Sequence, residues 1–492
     1  MRAAVSLLRA ALSDRGSRGR RARHTGAALV GSLILGAALP APVLAHGISG
    51  KTDLAIPRWL FAWGAAVVLV ISFVALATLW PRPRLERVRE RVLLRLPALA
   101  DPICGALGIV LFAVVVYAGF AGEQISATRN LDPIFIFVLF WVGTPFLSLL
   151  LGDVFRALSP WRALARVVCW LAGRVGGGRG LSEPMRYPSR LGRWPAVVGL
   201  FGFAWLELVY VQHDRPSTLA ALALAYAVAQ LVGMSLYGID TWTDRGDAFG
   251  VYFNLFARLS PLHWRRGTLS VRPPLSGVAE LEPLPGTVAL LAVMIGSTSF
   301  DGLEQGSLWL QSTEPHLQTF FSSLGLGPEG ALELAATVGL SVAVLIIAGL
   351  YRLGIAGMHS VDRATAASRL SARFVHSLVP IALAYVIAHY WSLLIYQGQA
   401  AVYLASDPLG HGANLFGTAD APVNYNALSP NSIWYVQVGA LVAGHAAGLA
   451  LAHDRALVLY RRAHEAVRSQ YWMLAVMVAF TSLGLWLLSA AS

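Results

Sequence analysis

Three ionisable side chains stand inside long apolar runs: Glu207, His389 and His445. An ionisable group in a bilayer is costly to keep, so each is a candidate for function by default. A histidine and a carboxylate held together offer general acid–base chemistry, because the imidazole can take a proton from water while the carboxylate fixes its tautomer. The same pair serves equally as a proton relay. Around His389 the residues Tyr385, Ser392 and Tyr396 recur at helical spacing, and around His445 so do Trp434, Gln437, Leu441 and Gly448. Each set shares one helical face. The two stripes lie on consecutive apolar runs and are expected to face each other, placing both histidines in one polar site; the competing reading is polar glue between helices.

A second group closes the apolar run before residue 304: Ser297-Thr-Ser-Phe-Asp301-Gly-Leu-Glu304. Asp301 and Glu304 are three apart and share a helical face. With His213, Asp214 and His411 in flanking loops, His389, His445 and Asp301 make a nitrogen and oxygen ligand set for a divalent metal conceivable, although no diagnostic spacing such as HExxH is present. His46 adds a further candidate ligand, since cleavage before it would expose an amine beside an imidazole. Glu207, His389, His445 and Asp301 are therefore the candidate catalytic residues, and His389, His445, Asp301 and His46 the candidate metal ligands.

The elements that must position these groups are transmembrane helices. Hydrophobic residues make up 56% of the 492 and charged residues only 13%, against about 25% charged in a soluble domain. Apolar runs near the length that crosses a hydrocarbon core fall at about 58–80, 103–122, 133–152, 194–213, 217–239, 286–302, 331–351, 374–397, 432–453 and 470–490. The expected fold is all-α: a single polytopic bundle of about ten spans over residues 46–492, with no soluble domain. Residues 1–45 read as a cleavable signal peptide, with arginines from Arg2 to Arg23, an apolar core from Ala27 to Leu39 and a Val43-Leu-Ala45 cleavage site.

Arginine alternates across these runs. It fills the loops after the first, third, fifth, seventh and ninth, while the loops between contain only Arg129 and Arg215. The positive-inside rule puts the arginine-rich loops in the cytoplasm and both mature termini outside a bacterial plasma membrane. By depth along the helix, Glu207, His389 and His445 then lie about 9, 12 and 20 Å below the outer end. Asp153–Trp161 and Phe249–Arg258 mix apolar, aromatic and basic residues and read as amphipathic helices lying in the inner interface.

The net charge of +12 follows from those loops and not from a basic face, which argues against a nucleic-acid partner. Walker, GxGxxG and GxSxG motifs are absent in usable context, and Gly176–Gly180 reads as a linker, so no nucleotide partner is expected. The two cysteines, Cys104 and Cys169, carry no paired spacing.

Several segments taken together, Val142-Gly-Thr-Pro-Phe-Leu-Ser-Leu-Leu-Leu-Gly-Asp153, Ser299-Phe-Asp-Gly302, His389-Tyr-Trp-Ser392, Gln397-Gly-Gln399, Ser406-Asp-Pro-Leu-Gly410 and Ala452-His-Asp-Arg455, resemble a family of multi-pass bacterial membrane proteins commonly titled fenitrothion hydrolase. The resemblance runs from about His46 to the last span. It implies a membrane-embedded hydrolase acting on a small lipophilic organophosphorus ester, and it assigns no catalytic residue. The alternative from the residues themselves is a transporter, or a metal- or proton-handling protein, built on the same buried groups.

Overall fold

The computed structural model describes residues 58–490 apart from 87–89, 176–182, 266, 362, 364 and 461. His46, the signal segment and most of the Gly176–Gly180 stretch lie outside the described residues. The chain is mostly helical. Seven helices are long and apolar enough to cross a membrane.

The principal helices are α1 (Arg58–Leu79), α2 (Ala100–Ala121), α3 (Leu131–Leu151), α4 (Pro160–Val175), α5 (Trp194–Leu208), α6 (Pro216–Tyr237), α7 (Ala248–Ala257), α8 (Thr287–Glu304), α9 (Pro328–Val361), α10 (Leu378–Gln397), α11 (Pro430–Leu459) and α12 (Tyr471–Ala490). They follow the apolar runs closely because a run free of charge can satisfy its backbone in lipid only as a helix. Two depart from their runs: α5 stops at Leu208, five residues before the expected end, with the chain turning through 209–215, and α9 continues ten residues past its expected end to Val361.

α10 and α11 form the tightest pair, and small residues explain why. A Cβ on Gly444 would stand 2.3 Å from Ala384 Cβ, and one on Gly448 would stand 2.8 Å from the Ser377 carbonyl oxygen. Close approach through glycine is the usual way membrane helices gain contact where no hydrophobic force separates them from lipid. α8 lies between α9, α10 and α5, and α12 packs on α1 and α9.

The expected helical bundle is present, and at the arginine-rich end β1 (Arg91–Arg95), β2 (Leu262–Arg265) and β3 (Thr268–Val271) add a small antiparallel sheet in the order β1-β3-β2. One correction is that Phe249–Arg258 is not an interfacial helix. Nine of the ten residues of α7 are buried, and it packs against α3, α5 and α10. A helix apolar on all sides belongs in a core, and ten residues are too few to span, so α7 enters the bundle and turns back. The expected interfacial segment Asp153–Trp161 also turns inward, with Phe155 and Trp161 buried, whereas the exposed apolar stripe of Val167, Val168, Trp170 and Leu171 lies beyond it on α4.

The loops separate into two ends. β1 of the first loop pairs with β3 of the fifth, Arg156 of the third binds Asp240 (2.9 Å) and Asp244 beside the fifth, and Glu86 of the first pairs with Arg455 near the ninth (2.8 Å). At the opposite end Glu123 N donates to the Leu409 carbonyl (2.8 Å), Ser217 N to Gln124 (3.1 Å), Val211 N to Glu333 (3.2 Å) and Tyr403 to the Thr128 carbonyl (2.9 Å). Arginine-rich loops meet one another and arginine-poor loops meet one another.

Candidate functional site

Asp301 is the hub of the polar interior. It lies one turn from the end of α8, only 7% exposed. Its Oδ2 lies 2.9 Å from His389 Nε2 and accepts the hydroxyl of Tyr390 at 2.7 Å. Its Oδ1 accepts from Gln305 Nε2 at 3.1 Å, four residues along and hence on the same helical face. His389 and Tyr390 are neighbours on α10, and their rings meet edge to face with centroids 4.7 Å apart. A carboxylate bound by a charged or chargeable donor and two neutral ones is well compensated for burial.

Glu207 approaches from α5. Its carboxyl is within electrostatic range of Asp301 and Glu304, and the Trp141 indole and Tyr252 lie beside it. Trp141 and Tyr252 stack with centroids 4.6 Å apart and planes 18° apart. Trp141 stands in a ten-residue π-helical stretch of α3, Ile134–Gly143. Short π segments are frequent at functional sites because they re-aim side chains within a helix. The re-entrant α7 delivers Tyr252. Thus α3, α5, α7, α8 and α10 all contribute to one interior cluster.

His389 donates through Nε2 to Asp301 in the tautomer this geometry favours, which leaves Nδ1 as the free acceptor. Gly302 of α8 faces it, where a Cβ would stand 3.7 Å from Nδ1.

The expectation that His445 shares this site fails. His445 is wholly buried, its Nδ1 is bonded to the Leu441 carbonyl at 2.8 Å, and its ring lies among Tyr385 (6.3 Å) and Phe480 (5.9 Å). Among the described residues its Nε2 has no partner. The reason is the α10–α11 seam: Gly444 and Gly448 occupy the contact face, so His445 turns toward α12. The stripe on α10 is split likewise, with Tyr385 toward Phe480 and His389 toward α8.

The metal expectation also finds no ligand set. Among the described residues no three His, Cys, Asp or Glu side chains converge as a metal site would require. His213 bonds its own turn at the Tyr210 carbonyl (3.0 Å) and packs on Phe137, Asp214 faces an outer surface pocket with Arg215, and Asp407 accepts from the His411 backbone (3.1 Å). Of the expected ligands Asp301 and His389 meet, His445 lies elsewhere in the bundle, and His46 is outside the described residues.

Sequence reasoning identified Asp301, His389 and Glu207 but not Tyr390, Gln305, Trp141 or Tyr252. Gln305 was legible as the residue four beyond Asp301. Tyr390 was not, since it lies off the His389 stripe. No family model, no curated protein and no solved structure matches the chain.

Proposed function

We propose that this chain is a polytopic membrane hydrolase in which His389, oriented by Asp301, draws a proton from water for attack on a lipophilic organophosphorus ester. The observation that carries the reading is the Asp301–His389 pair, 2.9 Å apart in the interior and completed by Tyr390. Asp301 holds the imidazole with Nδ1 directed to the space beside Gly302, where a water would be within reach. Positioned acid–base groups of this kind contribute about 10²–10⁴-fold. Glu207 and Glu304, when protonated, are placed to return a proton to the departing group. The choice of ester rests on the resemblance to the fenitrothion hydrolase family, and an apolar surround suits a substrate that enters from lipid.

A proton-handling transporter is the second reading. It is favoured by the mutual proximity of Glu207, Asp301 and Glu304, more carboxylates than hydrolysis needs and a common feature of relays. Purified chain assayed with a chromogenic phosphotriester decides: turnover that disappears in H389A supports the hydrolase. No turnover, together with proton flux into liposomes that H389A abolishes, would establish the transporter instead.

The same proposal includes ten spans, a signal cleaved before His46, a bacterial plasma membrane location and both mature termini outside. Its support is the arginine alternation and the meeting of arginine-rich loops at one end.

A further inference from the structure

Asp132, at the start of α3, is fully buried. It lies at the arginine-poor end between α2 and α6, on the same helix as Trp141 but before the π-helical stretch Ile134–Gly143. On the α2 side Gly119 makes the room: a Cβ there would stand 3.0 Å from Asp132 Cγ and 2.6 Å from Ala220 Cβ. Neither carboxyl oxygen has a hydrogen-bond partner among the described residues.

An aspartate in a first helical turn ordinarily accepts from the free N–H groups there. Here none is left. Leu131 N donates to the Pro408 carbonyl (3.0 Å), Asp132 N to Asn130 Oδ1 (2.9 Å) and Ile134 N to the Leu131 carbonyl, while Pro133 has no N–H. The neighbouring side-chain amides are committed as well. Asn130 Nδ2 serves the carbonyls of Ala118 and Glu123, both at 2.9 Å, and Gln124 Nε2 serves those of Gly119 (2.7 Å) and Gly122 (2.9 Å).

Charge offers no compensation either. The charged residues nearest in the elements packed against Asp132 are Glu123 after α2, Arg129 in the turn before α3, Asp214 and Arg215 before α6, and Asp407 in the loop that caps this end. None of them acts on the Asp132 carboxyl, and Arg129, Asp214 and Arg215 are exposed. A backbone acceptor stands near the carboxyl. The Pro216 carbonyl oxygen lies 3.0 Å from the same Gly119 Cβ position. An ionised carboxylate in such a place, without donor or cation, is strongly disfavoured, whereas a carboxylic acid needs only one acceptor for its O–H.

We propose that Asp132 is a proton-binding site, carrying its proton at neutral pH in the folded chain. The proton comes from water, forms an O–H on one carboxyl oxygen, and leaves only when the α2–α6 seam opens to admit water or a cation. Gln124 is the latch of that seam, since it ties α2 to the Ser217 N–H at the head of α6 (3.1 Å). Proton release and the opening of the arginine-poor end are thereby one event, independent of whether the Asp301 cluster hydrolyses an ester.

The test is infrared spectroscopy of the full chain in lipid at neutral pH, comparing wild type with D132N. The expected result is a carboxylic-acid C=O band present in wild type and missing from D132N, with the wild-type band lost in alkaline buffer more readily in Q124A than with Gln124 in place. Identical acid-band regions in wild type and D132N would overturn the proposal. So would a D132N chain that fails to accumulate, because Asn is an uncharged isostere and such a failure means the fold requires the ionised form. Stability of wild type that depends on sodium or potassium, absent in D132N, would assign the site to a cation and overturn it equally.

Discussion

His389 Nε2 lies 2.9 Å from Asp301 Oδ2, so an imidazole on α10 and a carboxylate on α8 form one unit across a helix seam, which the proposed hydrolysis uses as base and orienting group. Groups that act as a unit lose function together. D301N and H389A should each lower phosphotriester turnover by about 10²–10⁴-fold, and the double variant should be little worse than either. Losses that multiply instead would mean that the two residues act separately. Initial rates on the four proteins, at equal membrane content, give the answer.

Tyr390 donates to the same oxygen at 2.7 Å, which makes it a positioning residue. In Y390F the carboxylate keeps His389 and Gln305 but loses one donor, an effect of about 1.5–3 kcal/mol for a bond to a charged group. Turnover should fall about tenfold, with KM unchanged and the pH profile displaced, and thermal stability should fall with it. A variant with wild-type rate and profile would leave Tyr390 a packing group only.

Much of the fold is legible in the sequence because a bilayer admits few solutions. A run such as Ala100–Ala121 has no alternative to a helix. Loops whose fate depends on tertiary partners are less legible. Val92, Leu93 and Leu94 are too few to declare a strand, and they become one only by pairing with Thr268–Val271. Phe249–Ala257 reads as interfacial beside Arg258, yet the Arg258 guanidinium is turned inward, its Nε on Asn254 at 3.0 Å. His389 was visible as a costly residue in an apolar run and Asp301 as an acid closing another, but periodicity fixes a face without fixing which neighbour it meets. That gap is why His445 was placed with them.

The arginine-rich end carries a pH signature at Asp240. Burial alone would raise its carboxyl, but Arg156 and Arg162 outweigh that and hold it below the usual 3.8. A depressed carboxylate stabilises the fold above its unfolded value, and the contribution is lost as pH falls through the folded one. Wild type should therefore lose thermal stability below about pH 4 by slightly more than D240N. The difference will be small because the Asp240 side chain is 74% exposed and exposed pairs are screened. An equal acid dependence in both proteins would remove Arg156–Asp240 as a tie between these loops.

Gly444 tests the α10–α11 seam directly. A Cβ there meets Ala384 Cβ at 2.3 Å and the Pro380 carbonyl oxygen at 2.7 Å, and neither a backbone oxygen nor a helix-borne methyl can withdraw without moving the helix. G444A should lower stability by about 1–3 kcal/mol, the usual range for overpacking, and G444L should abolish accumulation. Full stability of G444A in detergent melts would show that the two helices are farther apart than described.

The sharpest separation of the two histidines comes from exchanging each for an apolar residue. His445 has no carboxylate partner, one ring nitrogen on the Leu441 carbonyl and the other without a partner among the described residues. Its surroundings are Tyr385 and Phe480. Replacement of a poorly satisfied buried polar group by an apolar one of similar shape is close to neutral or stabilising, so H445F should melt within about 1 kcal/mol of wild type and keep its turnover. H445A, which leaves a cavity, should cost about 2–4 kcal/mol and still turn over at nearly the wild-type rate where it is folded. H389F should do the reverse. It deprives the buried Asp301 carboxylate of its imidazole donor, which destabilises by about 3–5 kcal/mol, and it removes the proposed base, so turnover vanishes. Activity lost in H445F with stability intact would return His445 to the catalytic site and require a movement of α11 that brings its ring to Asp301.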